Sequence, residues 1–156
     1  MPNHCGECNA CCKVFNIPEL EKPAGKWCQH CVIGKSCEIY PTRPKACVDF
    51  ECFWLQSQKQ EPRERWAPEL RPDKSRVVFS TSTNPRVVSA ITMPGAEGAW
   101  KRPVILNIIR TLASRGFATV CGGATSTHRT MIDQFGVRKV TLSEPDENGV
   151  QWGNDD

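Results

Sequence analysis

The residues able to do chemistry are sulfurs, and they come in a dense run. Written along the chain they are Cys5-x2-Cys8-x2-Cys11-Cys12, then Cys28-x2-Cys31-x5-Cys37, then Cys47-x4-Cys52. A C-x2-C step turns two thiolates toward one point inside a tight loop, so both reach a metal about 2.3 Å away. The repeated step C-x2-C-x2-C is the compact wrapping of bacterial ferredoxin-type iron–sulfur ligation. Vicinal Cys11 and Cys12 should point in different directions and serve different centres, or one cluster and a neighbouring site. Nine sulfurs make either two four-thiolate centres with one to spare, or one cluster beside a set of redox-active or structural thiols. The spacing fits an iron–sulfur cluster slightly better than zinc, and both stay open.

Compartment decides between metal and disulfide. The opening MPNHC lacks the basic head and apolar body of an export signal, and no apolar run in the sequence approaches the roughly 18 residues of a membrane span. The chain is therefore expected in the cytoplasm, where cysteines stay reduced and serve metals or redox chemistry rather than a disulfide framework. Nine of the ten cysteines lie between Cys5 and Cys52. The tenth, Cys121, sits in the apolar run Phe117 to Cys121 and reads as a buried small hydrophobe. His4 and His30 flank the sulfurs and could ligate either metal, but with so many thiols present they read as bystanders.

The segment from residue 4 to 55, through CGECNACC, WCQHC and GKSCEIYPTRPKACVDFECFWL, resembles the YkgJ-type cysteine-cluster family, also described as the CxxCxxCC putative zinc- or iron-chelating domain. The order CxxCxxCC, a lone Cys, then C-x-I-Y-x-x-R-P-x-x-C-x-x-F-x-C carries the resemblance. It implies metal ligands at Cys5, Cys8, Cys11, Cys12, Cys28, Cys37, Cys47 and Cys52. Cys31 departs from the pattern and is either a further ligand or a spare thiol. Flagellin lysine-N-methylases contain a similar cluster, which raises a methyl-transfer reading, but no glycine motif for S-adenosylmethionine follows a strand here.

Four thiolates around Zn(II), or around a cubane, leave a net negative charge that nearby donors should stabilise. Arg43 and Tyr40 are candidates; the competing reading pairs Arg43 with Asp49 or Glu51 at the surface. Phe50, Phe53 and Trp54 should form an apolar lid over the site, with Trp27 joining it.

The elements that position these residues come in four parts. Residues 1–55 hold few apolar residues at helix or strand spacing and several prolines, so a cross-link must replace a missing core. Residues 56–72 read as a polar connector that docks through Trp66 and Leu70. Residues 73–142 read as a small α+β unit. In it, Arg76 to Ser82 and Arg86 to Met93 form a strand pair around Thr83-Asn84-Pro85. A helix opens at Pro103 with Ile105, Ile108, Ile109 and Leu112 on one face and stops at Gly116. Phe117 to Cys121 is a strand, Thr127 to Phe135 a short helix with Met131, Ile132 and Phe135 inward, and Val137 to Leu142 a last strand. Residues 143–156 carry five acids and no base and read as a disordered tail. The fold class is α+β: a cysteine-rich, metal-knit loop region followed by a small sheet with one or two packed helices.

Twenty basic side chains against seventeen acidic ones give a net charge of +3, which hides a basic second half and an acidic tail. The basic residues are scattered without stacking aromatics, which argues against nucleic acid. The sequence thus predicts a protein that holds an iron–sulfur cluster or zinc. The alternatives are a zinc-stabilised interaction module with an acidic protein partner and a cluster-dependent methyl-transfer enzyme.

Overall fold

Proline and glycine interrupt the first third of the chain so often that only short elements form there. The computed structural model describes residues 6–144, 151 and 153–155. Its cysteine-rich segment contains α1 (Ala10–Val14), β1 (Cys31–Val32), β2 (Ser36–Cys37), α2 (Lys45–Asp49) and α3 (Phe53–Ser57). After the connector and a last short helix, α4 (Pro72–Ser75), come β3 (Val77–Thr81), β4 (Val87–Thr92), α5 (Pro103–Ser114), β5 (Ala118–Gly123), β6 (His128–Asp133), β7 (Gly136–Leu142) and β8 (Gly153–Asp155). The fold is α+β, as expected.

Strands β3 to β8 lie side by side in chain order in one six-stranded sheet. All neighbours are antiparallel except β4 and β5, which run parallel from Val87↔Ala118 to Thr92↔Gly123. A parallel pair needs a crossover connection, and α5 supplies it. The helix has Pro103 at its start and buries Ile105, Ile109 and Ala113 at four-residue spacing. Gly116, at φ +87, follows its end, in a conformation that an L side chain resists.

Alternation along the strands divides the apolar residues into two cores. Val77, Phe79, Val88, Ala90, Cys121 and Ile132 pack with Ile105 and Ile109. Val78 and Met93 join Cys8, Ala10, Val14, Cys52 and Leu55 in a second cluster. The cysteine-rich segment therefore does bury apolar surface, but it borrows the sheet to do so. Gly25 marks the close approach between the two parts: a Cβ there would lie 2.7 Å from Thr125 Cγ2 in the loop between β5 and β6.

The connector docks as its aromatic residue suggests. Trp66 packs edge-on against Phe79 at 5.6 Å and Phe53 at 6.3 Å, and Leu70 is packed against the same core. Backbone ties reinforce it: Trp66 N donates to Ser57 Oγ at 3.1 Å and Trp54 Nε1 to Ala67 O at 3.2 Å.

Two expectations are corrected. Thr127 to Phe135 is not a helix; β6 occupies His128–Asp133 and turns into β7 through Gln134 and Phe135. Phe135 N donates to Asp133 Oδ1 at 2.9 Å, closing a tight turn, and Phe135 is 83 % exposed instead of inward. β-branched Thr130 and Ile132 suit a strand, and the pairing on both sides overrides the helical reading of Met131, Ile132 and Phe135. The tail is not wholly without order either: Gly153–Asp155 pairs with β7 at Val140↔Asp155, Thr141↔Asn154 and Leu142↔Gly153, because the open edge of β7 offers it a backbone partner. Residues 145–150, 152 and 156 lie outside the described residues. No helix among the described residues is long and apolar enough to cross a membrane.

Candidate metal centre

Local hydrogen bonds draw the cysteine-bearing segments together before any side chain is considered. Cys12 N donates to Asn9 O at 2.9 Å, Cys28 N to Cys12 O at 3.1 Å and Cys31 N to Cys28 O at 3.0 Å. The last of these closes the turn that Cys28-x2-Cys31 spacing requires, the first closes the opening turn of α1 at Cys12, and the middle one stitches the two segments to each other. Buried Asn9 accepts from Gly34 N at 2.9 Å through Oδ1, tying the first loop to the β1–β2 hairpin. In that hairpin Cys31 and Cys37 are directly opposite. Cys47 lies in α2 behind Pro44, and Cys52 precedes the first residue of α3.

These segments surround an open cavity of about 620 Å³. Of the eight residues that the resemblance implies, Cys8, Cys11, Cys12, Cys28, Cys37, Cys47 and Cys52 all line it. Cys5, and with it His4, lies outside the described residues. The sulfurs in and beside the cavity fall into two groups. Cys8 and Cys52 are buried in the second core cluster, and the charge of Cys8 acts on Cys52. Burial pushes the Cys52 thiol up although the amides of Leu55 and Trp54 donate to it.

The larger group centres on Cys12. Its thiol is held down at about 6, from an ordinary 9.0, first by the Cys11 S–H that donates to it, against the opposing effect of burial. Cys31 donates as well, and the Lys22 and Arg43 charges add to the effect. Cys31 is pushed up to about 12 by burial and then by the Cys12 charge, with Cys28 and Cys37 acting in the same direction. Burial also raises Cys47, followed by the charges of Cys12 and Cys28. Six thiols from α1, the C-x2-C turn, the hairpin and α2 therefore feel one another, and Cys12 is the one whose thiol is lowered. The vicinal Cys11 and Cys12 both line the cavity, and the Cys11 thiol acts on Cys12.

Arg43 lies over the Tyr40 ring, 3.8 Å from its centroid, and its Nε donates to Tyr40 O at 3.0 Å. The surface pairing is taken by other partners, since Asp49 pairs with Lys45 and Glu51 with Lys59. The aromatic residues do not form one lid. Phe50 packs on Phe15 at 4.6 Å, Phe53 turns to Trp66 and Phe79, and Lys13 sits 5.1 Å from the Trp27 ring. His30 faces Gln29 at 3.4 Å.

Sequence reasoning missed Lys22. It is 5 % exposed, and burial pulls its ammonium below the usual value while Cys12, Cys28, Cys11 and Cys47 pull it back up. Nothing in ELEKPAG distinguishes it from the neighbouring charges. The position of Cys31 beside Cys12 was likewise outside the motif.

Among the described residues, no three His, Cys, Asp or Glu side chains converge tightly enough to hold a metal ion as they stand. In chemistry the donor set fits a thiophilic centre: soft sulfur donors, one with a lowered pKa, with Lys22 and Arg43 beside them. Cys12, Cys28, Cys31, Cys37 and Cys47, with Cys11, are the residues that would hold it. Compared with protein-family models, curated proteins and solved structures, the chain matches none, so the likeness to the cysteine-cluster family rests on the motif residues quoted above.

Proposed function

We propose that the protein binds a thiolate-ligated metal centre, an iron–sulfur cluster or zinc, in the cysteine-lined cavity. One observation supports this above others: seven of the eight implied cysteines, from separate segments, line one cavity, and the Cys12 thiol there is held down at about 6 by its neighbours, with Lys22 and Arg43 adding to the effect. Thiolates crowded at that density repel one another, and a bound cation removes the repulsion. The metal supplies the cross-link that the short elements of the first third lack, so its binding energy is also folding energy. The protein's own part is to present the sulfurs from short turns and helices, to place Arg43 beside them, and to shield them with Phe15, Phe50 and Leu55. Such thiol chemistry belongs in a reducing compartment, the cytoplasm.

The test is a competition titration of the reduced, metal-free protein with Zn²⁺ against a chromophoric chelator, paired with anaerobic reconstitution by ferrous iron and sulfide. Tight saturable binding in either arm, lost in Cys12→Ser, supports the reading. Binding no tighter than that of a denatured chain with the same thiols rejects it.

A further inference from the structure

Lys22 is a charged side chain in a place where packing alone would favour an apolar one. The turn Pro18–Leu20 ends at Glu21, whose backbone is left-handed at φ 51, and the chain then reverses. Ile17 N donates to Lys22 O at 2.8 Å and Lys22 N to Ile17 O at 3.1 Å. The reversal folds the lysine beneath the C-terminal end of α1. There Nζ donates to Lys13 O at 3.0 Å and to Phe15 O. The largest charge effects on it are those of Cys12, Cys28, Cys11 and Cys47.

A buried ammonium without an anionic partner is strongly disfavoured. Two backbone carbonyls satisfy its hydrogens but carry no net charge. Thiolates do, and four thiols on three separate segments lie within its field.

We propose that Lys22 is the counter-cation of the thiolate centre, a residue whose fixed positive charge sets how much negative charge the loaded site can hold. This rests on the metal-binding reading above. Four thiolates on Zn(II), or on a cubane, leave a formal charge near minus two; Arg43 in the cavity lining and Lys22 buried behind it together offset it. The bland competitor is that Lys22 only caps α1, because lysines commonly bond the last carbonyls of a helix. A cap stabilises the metal-free and loaded forms alike, whereas a counter-cation stabilises mainly the loaded form.

Two variants separate these roles. Lys22→Gln keeps an N–H donor for the carbonyls and removes the charge; Lys22→Arg keeps the charge. Zn²⁺ affinity is read by chelator competition, and thermal unfolding is followed anaerobically with Zn²⁺ and with chelator. The expected result is that Lys22→Gln weakens Zn²⁺ about 10- to 100-fold and lowers the melting temperature of the loaded form more than that of the metal-free form. Lys22→Arg should restore most of the affinity. Equal melting shifts in both forms with unchanged Zn²⁺ affinity overturn the proposal and leave a cap. A wild-type protein that binds no Zn²⁺ and reconstitutes no cluster defeats the metal-binding reading first, and the role of Lys22 with it.

Discussion

The two halves of this molecule solve the problem of holding a chain together by different means. From Val77 onward the chain repeats strand, turn and strand around α5, and its stability comes from apolar side chains such as Ile105 and Ile109, at 1 % and 0 % exposed. Up to Ser57, among the described residues, no helix exceeds five residues and the strands are two residues long. That part has Cys8, Ala10, Val14, Cys52 and Leu55 against Val78 and Met93, and otherwise a set of mutually interacting thiols. Where apolar surface is scarce, a metal is the other physical means of cross-linking. The sheet half should then be insensitive to metal, and the thiol half should depend on it.

Removing metal should break the comparison most sharply. Cys12→Ser, or chelation, should abolish amide exchange protection across residues 8–55 and leave β3 to β7 protected, which hydrogen exchange can read segment by segment. The converse is Ile109→Ala, which should cost about 2–5 kcal/mol by leaving a cavity under the sheet, measured by denaturant unfolding, with metal content per folded chain unchanged. Cys121→Ser is milder: a hydroxyl replaces a buried thiol between β4 and β6, at about 1–3 kcal/mol, again with unchanged metal content. If it strips metal, the division between the halves is misplaced.

A further contrast is a pH dependence with opposite signs in the two halves. In the metal-free protein Cys12 ionises at about 6 when folded, against an ordinary 9.0. Between those values the unfolded chain holds the extra proton, so its contribution is full above pH 9 and fades as pH falls toward 6. Burial pushes Cys121 up to about 12, so there the folded chain keeps the proton longer, and stability declines as pH rises above 9. Alkylation followed by peptide mass mapping should find Cys12 reactive at pH 7 and Cys121 inert. In the loaded protein the Cys12 reaction should disappear.

What the sequence made legible follows from how local each signal was. α5 announced itself because Pro103, the isoleucines and Gly116 lie within one continuous stretch, and the β3–β4 pair because its turn residues sit between two apolar runs. The Cys28-x2-Cys31 turn was readable for the same reason. β6 was misread because Met131, Ile132 and Phe135 fit a helical face in isolation, and only pairing with β5 and β7 fixes their alternation. β8 needed knowledge of an open edge on β7. At the site, the spacing marked the sulfurs but not their grouping. The Cys12–Cys31 contact depends on the hairpin and on the Cys28–Cys12 backbone bond, and Lys22 becomes informative only when the turn at Glu21 buries it. Charges and contacts made through tertiary folding leave no short-range pattern to read.

The most direct test of the central claim is the metal and acid-labile sulfide content of the protein purified anaerobically, measured beside a visible spectrum and a count of thiols reactive under native conditions. The account predicts at least one stoichiometric centre, iron with matching sulfide or zinc without it, and protection of the Cys12 group until the metal is removed. A folded chain with no stoichiometric metal and with Cys12 and its neighbours freely reactive would contradict it.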